Sequence, residues 1–111
     1  MIHYKHYTYR ITWSQEDKEY VGLCTEFPSL SYLSKDQIEA LDGITQVVKH
    51  VIDDMQALGE KLPEPLSEKN FSGKFQIRIP PEMHRLLTLL SSEQGMSLNR
   101  YINLKLAMCA I

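Results

Sequence analysis

Residues 74–79 read KFQIRI, a run in which Lys74, Gln76 and Arg78 alternate with Phe75, Ile77 and Ile79. Successive side chains of a strand point to opposite faces, so the run predicts a strand with one apolar face and one face of long hydrogen-bonding side chains. Those three types suit base edges in a major groove: Arg and Lys donate to guanine O6 and N7, and Gln pairs with adenine N6 and N7. The plainer reading is a solvated edge whose charges discourage aggregation. Other chemistry is poorly provided for. Glu16, Asp17, Glu19, Glu26, Asp36 and Asp42 are the acids a two-metal nuclease would draw on, but most fall in a polar turn or at a helix start, where acids solvate or cap. His3, His6, His50 and His84 are scattered, with no Cys or Asp at ligand spacing, so no metal site is expected. No nucleophile motif or Gly-rich phosphate loop occurs. The expectation is a protein that is not an enzyme, has no catalytic residues and carries no cofactor.

Charge divides the chain. The 111 residues have a formal net charge of -2, yet residues 1–68 hold six Lys and Arg against twelve Asp and Glu, whereas residues 69–111 hold six against two. Such a split predicts different partners for the two ends, with the basic end the candidate for nucleic acid. No apolar run approaches the roughly 20 residues that span a bilayer, and MIHYKHYTYR lacks the apolar core of a signal peptide. No membrane association and a cytoplasmic location are expected. Cys24 and Cys109 have neither metal-ligand spacing nor the density of a disulfide scaffold, and are expected as reduced thiols.

The elements that must position KFQIRI follow from periodicity. Tyr7, Tyr9, Ile11 and Trp13 alternate with polar residues as in a half-buried strand. SQEDKE is a polar turn, Tyr20 to Cys24 a returning strand interrupted by Gly22, and Leu30 to Leu33 a short third strand. Ser34 is a candidate N-cap for a helix whose apolar stripe is Ile38, Leu41, Ile44, Val48, Val51, Ile52, Met55 and Leu58, stopped by Gly59. Residues 1–59 thus predict a β-β-β-α domain. Residues 60–72, with Pro63 and Pro65 and no apolar period, predict an extended linker, with Leu62 to Leu66 able to form a short edge strand. After KFQIRI, Pro80 and Pro81 end the strand and start a helix to about Gln94, with Met83, Leu86, Leu87 and Leu90 inward. Gly95 stops it, and Ser97 caps a last helix with Leu98, Tyr101, Ile102, Leu106 and Cys109 inward.

Residues 73–111 therefore read β-α-α, one strand and two amphipathic helices, too little to close a core alone. A second copy would complete it: two strands pair antiparallel about a two-fold axis and bury Phe75, Ile77 and Ile79 against Leu86, Leu90, Tyr101 and Ile102. The outward face of that ribbon carries two sets of Lys74, Gln76 and Arg78, and a two-stranded ribbon fits a major groove.

These residues carry a family resemblance. SGKFQIRIPPEMHRLLTLLSSEQGMSLNRYINLKLA, from Ser72 to Ala107, is similar to the ribbon-helix-helix tail of HicB-type antitoxins, with its alternating strand, IP, PE, LH-like start and SLN after a glycine. The resemblance implies that Lys74, Gln76 and Arg78 read bases and that Ser97, Leu98 and Asn99 grip a phosphate. The front half is similar to the same family more loosely: Phe27-Pro28-Ser29 stands where the family has Leu-Pro-Gly, and its Gly-x-Thr is absent. The resemblance implies an α+β protein with a partial RNase H-like front domain. It also implies a homodimer, or a tetramer of paired dimers, that binds palindromic operator DNA, neutralises a HicA-like RNA-cleaving toxin and represses its own operon. The alternative is a ribbon-helix-helix transcriptional repressor with no toxin partner.

Overall fold

The computed structural model describes residues 3–109. The chain is α+β, a three-stranded antiparallel sheet followed by helices. It divides into two compact units, Met1–Ser72 and Gly73–Ile111.

In the first unit a short 3-10 helix, Tyr4–His6, precedes β1 (Tyr9–Ser14), β2 (Glu19–Cys24) and β3 (Ser31–Ser34), and α1 (Gln37–Ala57) crosses one face of the sheet. The sheet is a meander, β1-β2-β3, with Ile11 opposite Gly22 and Gly22 opposite Tyr32. Its hairpin turns because Lys18 donates its N–H to the Ser14 carbonyl at 2.8 Å and takes a left-handed φ of 57°. At the hairpin end pairing runs one residue beyond the expected strands, with Ser14 opposite Glu19, while Tyr7, expected in the first strand, precedes β1.

Gly22 is an interruption in the sequence pattern with a tertiary cause. A Cβ there would sit 2.6 Å from the Ala40 carbonyl oxygen and 2.8 Å from Ile44 Cγ2, so only glycine lets α1 lie this close to β2. The helix buries Ala40, Ile44, Val48 and Ile52, with Tyr7, Cys24 and Phe27 from the sheet side. Val51 and Met55 pack at the margin.

Three sequence expectations are corrected here. Ile38, Leu41 and Leu58, placed on the buried stripe, are exposed; the contact with the sheet is narrower than the apolar arc, and Ala40 lies at its centre because the closest approach admits only a small side chain. Ser34 is not the N-cap. It belongs to β3, opposite Tyr20, and its Oγ accepts from the Asp36 N–H at 3.2 Å. Asp36 caps the helix by accepting from the Glu39 N–H at 3.0 Å. Residues 60–72 contain no strand and are not a free tether, because 63–68 are anchored to the first unit. Gly59 does end α1: with φ +72° it donates to Gln56, and Glu60 donates to the Met55 carbonyl, a Schellman closure.

The second unit comprises residues 73–80, α2 (Pro81–Glu93) and α3 (Leu98–Cys109). Pro81 sits at the first helical position, where its missing N–H costs nothing. A second Schellman closure at Gly95 (φ +67°) ends α2, with Met96 donating to the Ser91 carbonyl at 2.9 Å. Ser97 caps α3, its Oγ accepting from the Arg100 N–H at 3.1 Å. Of α2 and α3, only Ser91 and Tyr101 are buried among the described residues. Met83, Leu86, Leu106 and Cys109, all expected inward, are exposed, as are Leu89 and Leu104. Two helices pack along one line of contact and leave the rest of each apolar arc in solvent.

Candidate nucleic-acid interface

The expected strand at 74–79 joins no sheet: the three strands of the described residues all belong to the first unit. A strand is held in a sheet by a neighbouring strand, and every described strand lies in the first unit. Lys74, Gln76 and Arg78 are exposed. Their apolar alternates share that exposure: Phe75 is 77% and Ile77 58% accessible, and Ile79 is half-buried. Gly73, at φ +81°, opens the segment and Pro80 closes it, so the run is bounded as the sequence implies.

The other residues assigned to a core divide. Tyr101 is buried, with Lys105 Nζ 5.3 Å above its ring. Leu90 and Ile102 are half-buried, and Leu86 is exposed. An open hollow of about 330 Å³ lies between residues 73–77 and α3, lined by Phe75, Ile77, Ile102 and Leu106 with Asn99 and Asn103. Asn103 was missed in the sequence; it follows Asn99 by four residues, and i,i+4 spacing on a helix was the signal that could have found it.

At the start of α3, Ser97 and Asn99 are exposed and Leu98 is half-buried. First-turn N–H groups lack intrahelical acceptors and carry the positive end of the helix dipole, a combination that receives anions. Residues 73–111 supply Lys74, Arg78, Arg85, Arg100 and Lys105 against Glu82 and Glu93. Chemically, this unit offers cationic and amide donors for phosphate and base edges. No group of three or more His, Cys, Asp and Glu among the described residues is placed to hold a metal ion.

The family model of the HicB family matches residues 58–106. No curated protein and no solved structure matches. The HicB match begins at the C-cap of α1 and runs through the anchored segment, KFQIRI, α2 and most of α3. It therefore contains every residue of the candidate interface, from Lys74 to Asn99 and Ile102. The sheet and nearly all of α1 lie outside it. No helix of the described residues is long and apolar enough to cross a membrane.

Proposed function

We propose that this protein is a HicB-type antitoxin that acts by binding rather than catalysis, with two binding functions on one chain. The observation that carries the reading is a coincidence: the HicB match contains a basic segment whose apolar side chains, Phe75 and Ile77, are exposed. A second copy resolves that combination. Two KFQIRI segments paired antiparallel form a ribbon and cover Phe75, Ile77 and Ile79 together with Leu86, Leu90 and Ile102. The product is a ribbon-helix-helix domain. Its outer face presents two sets of Lys74, Gln76 and Arg78 to a major groove, while the α3 starts, at Ser97, Leu98 and Asn99, hold flanking phosphates. Two-fold symmetry requires a palindromic operator, and paired dimers require half-sites about one helical turn apart.

The first unit is the partial RNase H-like domain that engages a HicA-like RNA-cleaving toxin. Its support is charge: residues 1–68 are strongly acidic, and an acidic surface speeds association with a basic RNA-binding protein and competes for the surface that binds RNA. One observation favours a second reading, a ribbon-helix-helix repressor with no toxin, because the HicB match leaves the sheet and most of α1 unmatched.

Co-expression with an adjacent small basic open reading frame separates the two. Growth arrest by that frame alone, relieved by this protein with a stable co-purified complex, is the expected result. Absence of toxicity and of a complex would overturn the antitoxin reading and leave the repressor.

A further inference from the structure

The sheet runs β1-β2-β3, so β1 has β2 on one side and no strand of the described residues on the other. Thr25 donates its N–H to the Thr8 carbonyl at 2.9 Å, and the register pairs Arg10 with Leu23 and Thr12 with Val21. An antiparallel ladder exchanges hydrogen bonds at every second residue, so Thr8, Arg10 and Thr12 bond to β2 while the N–H and C=O groups of Ile11 and Trp13 point off the free edge. Natural edges are blunted by charges, prolines or bulges. Residues 11–13, Ile-Thr-Trp, carry no charge and no proline, and their register with β2 is unbroken. The anchored segment 63–68 hydrogen-bonds to His6, Tyr7 and Glu26, all outside β1.

The side chains beside this edge are apolar and open. Gly22 of β2 lies against Ala40 and Ile44, and Gly43 against the Tyr32 ring of β3. With β2 and β3 so placed, helical spacing turns Leu41, and beyond it Ile38, to the β1 side of α1. Trp13 meets Tyr20 edge-on, with ring centroids 5.0 Å apart. Tyr20 pairs with Ser34, three residues before α1, so this pair sits at the end of the sheet where α1 starts. Trp13, Leu41 and Ile38 are all exposed. The two bordering segments, the β1–β2 turn and residues 35–42, hold Glu16, Asp17, Glu19, Asp36, Glu39 and Asp42 against Lys18 and Lys35, six acids to two lysines and a net of -4.

We infer that the free edge of β1, with Trp13, Leu41 and Ile38, receives an extended basic segment of a partner protein as a further strand. Main-chain hydrogen bonds to Ile11 and Trp13 supply affinity, and the indole is a rigid anchor. The acidic borders select a cationic occupant over a second copy of this chain, which would bring the same acidic first unit against them. Naming that partner as the toxin rests on the antitoxin reading; the chemistry of the edge does not.

Trp13 is the single tryptophan of the sequence and reports on its own site. The full chain is titrated with a heptapeptide of alternating Lys and Val, and with its Glu-Val counterpart. The Lys-Val peptide is expected to change Trp13 emission saturably, shield the indole from acrylamide and shift the Ile11 and Trp13 amide resonances, whereas the Glu-Val peptide does none of these. Glu16→Lys combined with Asp42→Lys, two exposed positions outside the core, is expected to weaken the Lys-Val peptide by roughly tenfold or more. Leu41→Ala should weaken it several-fold. Equal binding of both peptides, amide shifts confined to β3, or unchanged affinity in the double lysine variant overturns the proposal. So does a Trp13 already shielded in the dilute free chain, or shielding that rises with chain concentration alone, which would make the occupant a second copy. The titration uses neither toxin nor DNA, so its failure leaves the antitoxin reading standing, and a failed co-expression leaves the edge standing.

Discussion

Phe71 and Phe75 are the same residue type, four positions apart and almost equally exposed, at 72% and 77%. The proposed function assigns them opposite fates. Phe71 lies in the first unit with Lys69 Nζ 5.6 Å from its ring centroid, whereas Phe75 begins the apolar face that a second copy covers. A phenylalanine of about 200 Å² that loses three-quarters of its surface to a partner contributes roughly 3 to 4 kcal/mol at 25 cal/mol per Å². Truncation to Ala leaves only a methyl group, and two-fold pairing removes the ring twice, so Phe75→Ala should cost about 6 kcal/mol per dimer. That corresponds to a dimer dissociation constant raised about 10⁴-fold. Sedimentation equilibrium across a micromolar concentration series reads this directly, with Phe71→Ala as the matched control. The expected outcome is a monomeric Phe75→Ala and a Phe71→Ala that assembles like the parent. Equal weakening by both variants, or a dimer unaffected by Phe75→Ala, would refute pairing through KFQIRI.

Three further outcomes follow from the same structure. Arg78→Ala should weaken specific operator binding by about 1 to 3 kcal/mol and relax one base preference, whereas unchanged affinity and selectivity in a titration would remove Arg78 from the reading face. Gly22→Ala tests the close approach of α1: relief of backbone entropy in a strand favours Ala by about 0.5 to 1 kcal/mol, but a Cβ 2.6 Å from a carbonyl oxygen imposes overpacking worth about 1 to 3 kcal/mol. Thermal unfolding should therefore move down by roughly 5 to 10 °C, and a rise would show that the helix yields freely. Burial pushes the Glu26 carboxyl up, but the Leu66 and Thr8 N–H groups outweigh it and hold the group below its ordinary value of 4.5. A lowered folded value means stabilisation that is present above the unfolded value and lost as pH falls through the folded one. In urea titrations the deficit of Glu26→Gln against the parent should be largest near neutral pH and vanish in strong acid; a deficit independent of pH would assign the effect to packing.

Much of the chain was legible because local rules and tertiary demands coincide. Alternation marked β1, three-and-four spacing marked α1, and Pro81, Gly95 and Ser97 marked the ends of α2 and α3 within a residue or so. The misreadings occur where a neighbour distant in sequence decides. Periodicity put Ile38, Leu41 and Leu58 on the α1 stripe, but the sheet beneath is narrow and its nearest point is Gly22, so Ala40 took the central place. Ser34 is a good capping type, yet β3 claims it and Asp36 caps instead. Nothing in EKLPEPLSEKN announces that Leu66 will meet Glu26 or that the Tyr7 hydroxyl will find the Pro63 carbonyl. Those contacts join segments some forty to sixty residues apart.

The sequence by itself determined the order of the three strands and three helices, the split of charge between the ends, and the alternation of KFQIRI, because dihedral preference, capping and side-chain period act within a few residues. Only the tertiary structure decided how closely α1 lies on β2, that residues 62–68 belong to the first unit, and that Phe75 and Ile77 have no cover within their own chain. Each of those depends on which surfaces meet, and burial is a property of a pair of surfaces that one segment's pattern can request but cannot supply.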